Sequence, residues 1–121
     1  MRISRAKPED QIQRAVFQHL KARKAPGTFA FAVPNGGYRK PIEAAIMKAL
    51  GVTAGVPDII AIRDGHAFAL ELKADGGKPS AKQIEAIAAM TAAGATVAVA
   101  AGLDAAISQM EAWGLLIGRA T

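Results

Sequence analysis

Cysteine is absent from this 121-residue chain. Disulfides, thiolate-bound zinc and thiol catalysis are thereby excluded. Histidine is nearly as scarce, and His19 and His66 stand far apart without the spacing of metal ligands. Aromatic residues reach only 5%, with one Trp and one Tyr. Apolar residues still make up 51%, Ala the commonest, so a core must be packed from small side chains with Ile, Leu, Phe and the single Trp as larger pieces. No stretch approaches the ~18 consecutive apolar residues of a membrane span. The basic N-terminus lacks the apolar run of a signal peptide. A soluble, intracellular protein of one domain is expected.

What is present is charge, unevenly placed. The net charge is +5. Residues 1–48 hold ten Lys/Arg against three Asp/Glu, a balance of +7, and the remainder hold five against seven, a balance of −2. A basic half beside a mildly acidic one suits a polyanion partner contacted through its phosphates, or else a merely solubilising surface.

Periodicity and turn chemistry divide the chain. Residues 1–7 read as a basic N-terminal arm, and 8–121 as a single domain. A helix is predicted over Pro8 to Arg23, with Ile12, Val16 and Leu20 on one face and Glu9 and Asp10 at its positive end. Ala25-Pro26-Gly27 ends it. Thr28 to Val33 reads as a strand, and Pro34-Asn35-Gly36-Gly37 as a turn. A second helix starts at Pro41, keeps Ile42, Ala45, Ile46, Ala49 and Leu50 at helical spacing, and ends at Gly51. Asp58 to Arg63 and His66 to Lys73 are strands joined by Asp64-Gly65, a favoured two-residue hairpin turn. After the Gly-rich loop of Asp75 to Pro79, Ser80 opens a third helix running to about Ala93. Ala95 to Ala100 is read as a buried strand, and Asp104 to Trp113 as a last helix. The order α-β-α-β-β-α-β-α implies an α/β domain with a mixed sheet flanked by helices.

The hairpin concentrates the chemistry. A two-residue loop pairs Arg63 with His66 and therefore sets Asp58 directly opposite Glu71. Directly opposed side chains share a face, with Cβ atoms about 4.5–5.5 Å apart. Strand alternation puts Lys73 on the face of Glu71, and Leu70 and Leu72 on the other. Two carboxylates and an ammonium should converge. Opposed like charges are destabilising, and Lys73 offsets only part of the repulsion. A divalent cation offsets more, and hard oxygen ligands favour Mg²⁺ or Mn²⁺. Such an ion can polarise a phosphate and activate a water. The bland alternative is a strand end with ordinary surface charges.

These residues resemble the PD-(D/E)xK nuclease signature: Pro57-Asp58, then Glu71-Leu72-Lys73. The chain further resembles the virus-type replication–repair nuclease (VRR-NUC) family. The matching stretches are Glu9-Asp10-Gln11-Ile12-Gln13, Val33-Pro34-Asn35-Gly36-Gly37, Gly51 through Asp58 (GVTAGVPD), Leu70 through Lys73, and Gly77 through Gln83 (GKPSAKQ). The resemblance implies a restriction-endonuclease-like mixed sheet flanked by helices, and Mg²⁺- or Mn²⁺-dependent cleavage of DNA, structure-selective for branched, Holliday-junction-like or single-strand-containing substrates. By position, Asp58, Glu71 and the Leu72 backbone carbonyl would hold metal, Glu9 would reach it through water, Lys73 would position the attacking water, and Gln83 would complete the catalytic set. The implied setting is the cytoplasm of a bacterial cell or phage-infected host, in DNA repair or phage replication, and the implied assembly a homodimer.

Several residues allow two readings. Glu9 also suits a helix N-terminus. Gln83 follows Ser80 by three residues, the spacing of a capping box. Asn35, Gly36, Arg39 and Lys40 could hold a DNA phosphate or form a plain basic turn, and Lys78 and Lys82 raise the same question. Tyr38 could stack on a base. Trp113 reads as core or interface, and Trp113 to Ile117 (WGLLI) as a candidate dimer surface. A DNA-binding module of the same fold that does not cut is the alternative to the nuclease.

Overall fold

Asp64 and Gly65 both lie at positive φ, 52° and 74°, as a type I′ hairpin turn requires. The computed structural model describes residues 8–34 and 39–118. The arm expected over 1–7, and Asn35, Gly36 and Tyr38, lie outside the described residues. The turn joins β2 (Ile59–Arg63) to β3 (His66–Lys73) with Arg63 opposite His66 and Ile59 opposite Leu70. On the outer side of β2 lies antiparallel β1 (Thr28–Ala32), with Phe29 opposite Ile62. Beyond β3 runs β4 (Thr96–Ala101), parallel to it, with Glu71 beside Val99. Parallel pairing needs a crossover, and α3 (Ala81–Ala92) supplies it. The sheet is thus mixed, four-stranded and open, in the order β1-β2-β3-β4. Three further helices complete the predicted order: α1 (Pro8–Arg23), α2 (Pro41–Ala49) and α4 (Leu103–Ala112). Boundaries differ from the predicted ones by a residue or two, as at Val33. It falls outside β1, yet its N–H still donates to the Asp58 carbonyl at 2.8 Å.

One sheet face holds the core. Ile59, Ala61, Leu70, Leu72 and Ala100 pack there against Val16 and Leu20 of α1 and Ala106, Ile107 and Met110 of α4. Leu115 and Leu116 close this cluster, at 0% and 4% exposure. The Ala25 N–H donates to the Leu115 carbonyl, and the Ile117 N–H to the Arg23 carbonyl, so the C-terminal segment is stitched to the end of α1. Arg23 also pairs with Glu111 of α4. The expectation that Trp113 to Ile117 forms a dimer surface is therefore corrected. Its two leucines are core, and Trp113 is half-buried against Phe68. Apolarity alone could not separate the two roles, because both need the same side chains.

The other sheet face is covered unevenly. Ala69 and Glu71 are buried there, on the side crossed by α3. Phe29, Phe31 and Ile62 remain 64%, 39% and 42% exposed. β4 is an edge strand and half-buried, not the fully buried strand expected. The predicted apolar stripe of α2 is present, but no α2 residue is buried. No helix among the described residues is long and apolar enough to cross a membrane.

Leu115→Ala is expected to cost about 2–5 kcal/mol of folding stability, whereas Ile117→Ala, half-exposed, should cost less than about 1 kcal/mol. Urea denaturation of the two variants checks the assignment of this segment to the core.

Candidate active site

Pro57 is buried and delivers the chain into β2 immediately after Asp58. Asp58 is held from both neighbouring strands. Its carbonyl accepts from Val33, and its Oδ2 accepts the Leu72 N–H at 2.8 Å. The hairpin register carried back one residue from Ile59 and Leu70 sets Asp58 opposite Glu71, as the turn chemistry predicts.

Glu71 is 2% exposed. Its Oε2 accepts from Gln83 Nε2 at 3.0 Å and lies 3.5 Å from Lys73 Nζ. Its Oε1 is buried without a hydrogen-bond partner. Burial, and next the charge of Asp58, push the Glu71 carboxyl up to about 7, while Lys73 pulls against both. A buried acceptor without a donor is costly, and so is a pair of facing carboxylates. Both penalties would be relieved by one cation seated between them. The residues present therefore fit a hard divalent ion, which commonly takes only one or two protein carboxylates.

Half-buried Glu9 approaches from the otherwise exposed first turn of α1, and its Oε2 accepts the Ala74 N–H at 3.2 Å, one residue beyond Lys73. Among the described residues, no three His, Asp or Glu side chains gather tightly enough to hold a metal. Glu9 thus braces the end of β3. The Gly102 N–H donates to the Lys73 carbonyl at 2.9 Å and ties the same strand end to the start of α4. Leu72 turns its side chain into the core and offers backbone to the site.

Gln83 caps α3 and also reaches Glu71. Its Oε1 accepts the Ser80 N–H at 2.8 Å, and its own N–H donates to Ser80 Oγ at 3.2 Å, completing the capping box. Its Nε2 remains free to hold Glu71. The amide has two ends, so cap and site contact do not compete. Lys78 and Lys82 are exposed, Lys82 immediately before Gln83 in the first turn of α3. Arg39 and Lys40 are exposed ahead of α2, where the Lys40 backbone N–H is capped by Glu43. Sequence reading gave Gly55 no role of its own. Its Cα lies against the Lys82–Gln83 peptide, an approach across 27 residues that no local pattern signals.

A solved structure described as "VRR_NUC domain protein" matches with a TM-score of 0.74 at 28% identity, over 93% of this chain and 93% of that one. This chain has the VRR-NUC family fold. A second structure, described as "VRR_NUC domain", matches with a TM-score of 0.59 at 18% identity, over 88% of this chain and 97% of that one, and speaks for the fold alone. No family model matches the sequence, and no curated protein matches it. Within the VRR-NUC fold, the carboxylate pair sits where an antiparallel hairpin meets the end of a sheet, beside the first turn of the crossover helix.

The raised Glu71 value has a consequence for stability. Its folded value exceeds the ordinary 4.5, so the folded state binds the proton more tightly between about 4.5 and 7. The contribution is fully present below 4.5 and is lost as pH rises through 7. In chelator-treated protein, Glu71→Gln should therefore raise the denaturation midpoint at pH 8 relative to the parent and change it little at pH 4.5. Equal shifts at both values would contradict the assignment.

Proposed function

We propose that this protein is a divalent-metal-dependent DNA endonuclease, structure-selective for branched or single-strand-containing DNA. The observation that carries the reading is the buried, half-satisfied Glu71 carboxylate facing Asp58, with Lys73 on the same face. Asp58, Glu71 and the Leu72 carbonyl would hold Mg²⁺ or Mn²⁺, with Glu9 reaching it through water. The bound ion would supply Lewis acidity at the scissile phosphate and an acidified water. Lys73 aims the attacking water at phosphorus and stabilises charge accumulating on the phosphate oxygens. Gln83 fixes the carboxylate plane of Glu71 through its Nε2 bond. Lys78, Lys82, Arg39 and Lys40, with Asn35 and Gly36, hold the flanking phosphates and set register on the DNA. A pure DNA-binding module has no use for buried opposed carboxylates, which weaken both its fold and its attraction for phosphate.

The test is a cleavage panel of duplex, flap, fork and four-way junction DNA, with Mg²⁺, Mn²⁺ or chelator. Nicking of the branched substrates is expected only with metal, and Asp58→Ala, Glu71→Ala and Lys73→Ala should each lower the rate by roughly a hundredfold or more. DNA binding without any metal-dependent cleavage would leave the binding module in its place.

The proposed functional unit is a homodimer, formed through α2 and the open part of the sheet. Ile42, Ile46 and Leu50 on α2 are 69%, 55% and 78% exposed, and Phe29, Phe31 and Ile62 on the sheet are uncovered as well. At about 150 Å² for a large side chain, these fractions leave on the order of 500 Å² of apolar surface in water. Taken together, that is a sizeable part of the roughly 800 Å² that each partner contributes to a stable interface. Light scattering should give twice the chain mass for the parent protein and the single-chain mass for Ile46→Glu. A parent protein that runs as a monomer at micromolar concentration would remove the dimer.

A further inference from the structure

We infer that Gly55 is a positioning residue: it sets the seat of the first turn of α3, and through Gln83 the setting of the Glu71 carboxylate. Gly55 lies three residues before Asp58, at φ +80°. A methyl group added there would stand 2.5 Å from the Lys82 carbonyl oxygen, 2.6 Å from its carbon and 2.9 Å from the Gln83 backbone nitrogen. All three are backbone atoms of the helix start, so no side chain can swing aside. Relief requires the loop and the helix start to move apart. Gln83 is the third residue of that helix, and its Nε2 bond to Glu71 spans 3.0 Å.

α3 is mostly exposed: Ala86 is its only buried residue, and its main packing partner in the sheet is the edge strand β4. The capping box is internal to the turn and travels with it. The contacts at the helix start include the Gly55 backbone and the Glu71 carboxylate. Gly55 thereby couples the loop that delivers Asp58 to the residue that orients Glu71. A displacement of about 1 Å at a reacting group is enough to cost about a hundredfold in rate.

Gly51 provides the control within the same loop. It too sits at positive φ, +94°, but a methyl group there meets nothing within 4 Å. Gly51→Ala and Gly55→Ala therefore share the left-handed backbone strain, and only Gly55→Ala carries the clash with α3. The positioning role rests on the nuclease reading where activity is the readout and is independent of it where NMR is.

The experiment compares full-length parent, Gly51→Ala and Gly55→Ala proteins by ¹⁵N-edited NMR and by steady-state cleavage kinetics. In the parent, an NOE is expected between the Gly55 Hα protons and the Gln83 amide proton. The Gln83 side-chain NH₂ resonances, assigned by their loss in Gln83→Ala, should be shifted from exposed glutamines and slow to exchange. Gly51→Ala should keep that signature, and Gly55→Ala should lose it. Where the parent cleaves DNA, kcat of Gly55→Ala should fall about tenfold to a hundredfold with KM within about twofold, and Gly51→Ala should leave both unchanged. Retention of the Gln83 signature in a folded Gly55→Ala protein overturns the proposal. If Gly55→Ala does not fold, the parent NOE decides: its presence supports the close approach, and its absence overturns it. A parent protein that cuts nothing but shows the NOE and the Gly55-dependent Gln83 signature defeats the nuclease reading and leaves the positioning role standing.

Discussion

Asp64 and Gly65 hold Arg63 opposite His66, and the facing of Asp58 and Glu71, on which the rest of the site is built, follows from that pairing. Side chains alternate along a strand, so a slip of one residue would carry Asp58 and Glu71 to different faces. The same slip would drive Leu70 and Leu72 out of the core, where both are almost fully buried. The hydrophobic pattern that stabilises the sheet is therefore also what keeps the two carboxylates facing each other. Core packing and site geometry are two outcomes of one register.

The register imposes a penalty that the surroundings only partly offset. Glu71 is buried beside a second carboxylate, and Lys73 and Gln83 both serve a single oxygen, Oε2. Oε1 is left without a partner. The core lies on the opposite face, around α1 and α4, so the strained pair is separated from the residues that give most of the stability. The fold can carry an unfavourable electrostatic feature because the sheet itself stands between that feature and the packed helices.

What was legible in the sequence was local. A two-residue turn, strand alternation and helix punctuation gave the element order, the β2–β3 register and the convergence of Asp58, Glu71 and Lys73. What was not legible depended on partners remote in sequence. The α2 stripe and the Leu115-Leu116 pair are equally apolar, yet one is exposed and the other buried. Periodicity says that a face is apolar and is silent on what covers it. The S-x-x-Q spacing shows the cap at Gln83 but not the second partner of its amide, because Glu71 lies on a strand that the spacing does not reach. Glu9 stood out as an acid near an inward face, but its bond to Ala74 depends on how α1 crosses β3. The close approach of Gly55 to the Lys82–Gln83 peptide has no counterpart in any short motif.

The stitching of the C-terminal segment onto α1 bears on the order in which the chain can become a working molecule. α1 carries Glu9, yet its inner face is completed by Ile107, Met110, Leu115 and Leu116, which all follow the site strands in the sequence. A nascent chain that already contains Asp58, Glu71 and Lys73 still lacks the residues that close the core around the strands bearing them. Native contacts of such long sequence separation form late. A sheet that has not yet met Leu115 and Leu116 holds the carboxylate pair over an incomplete core, so completion of the site depends on a segment more than forty residues beyond Glu71.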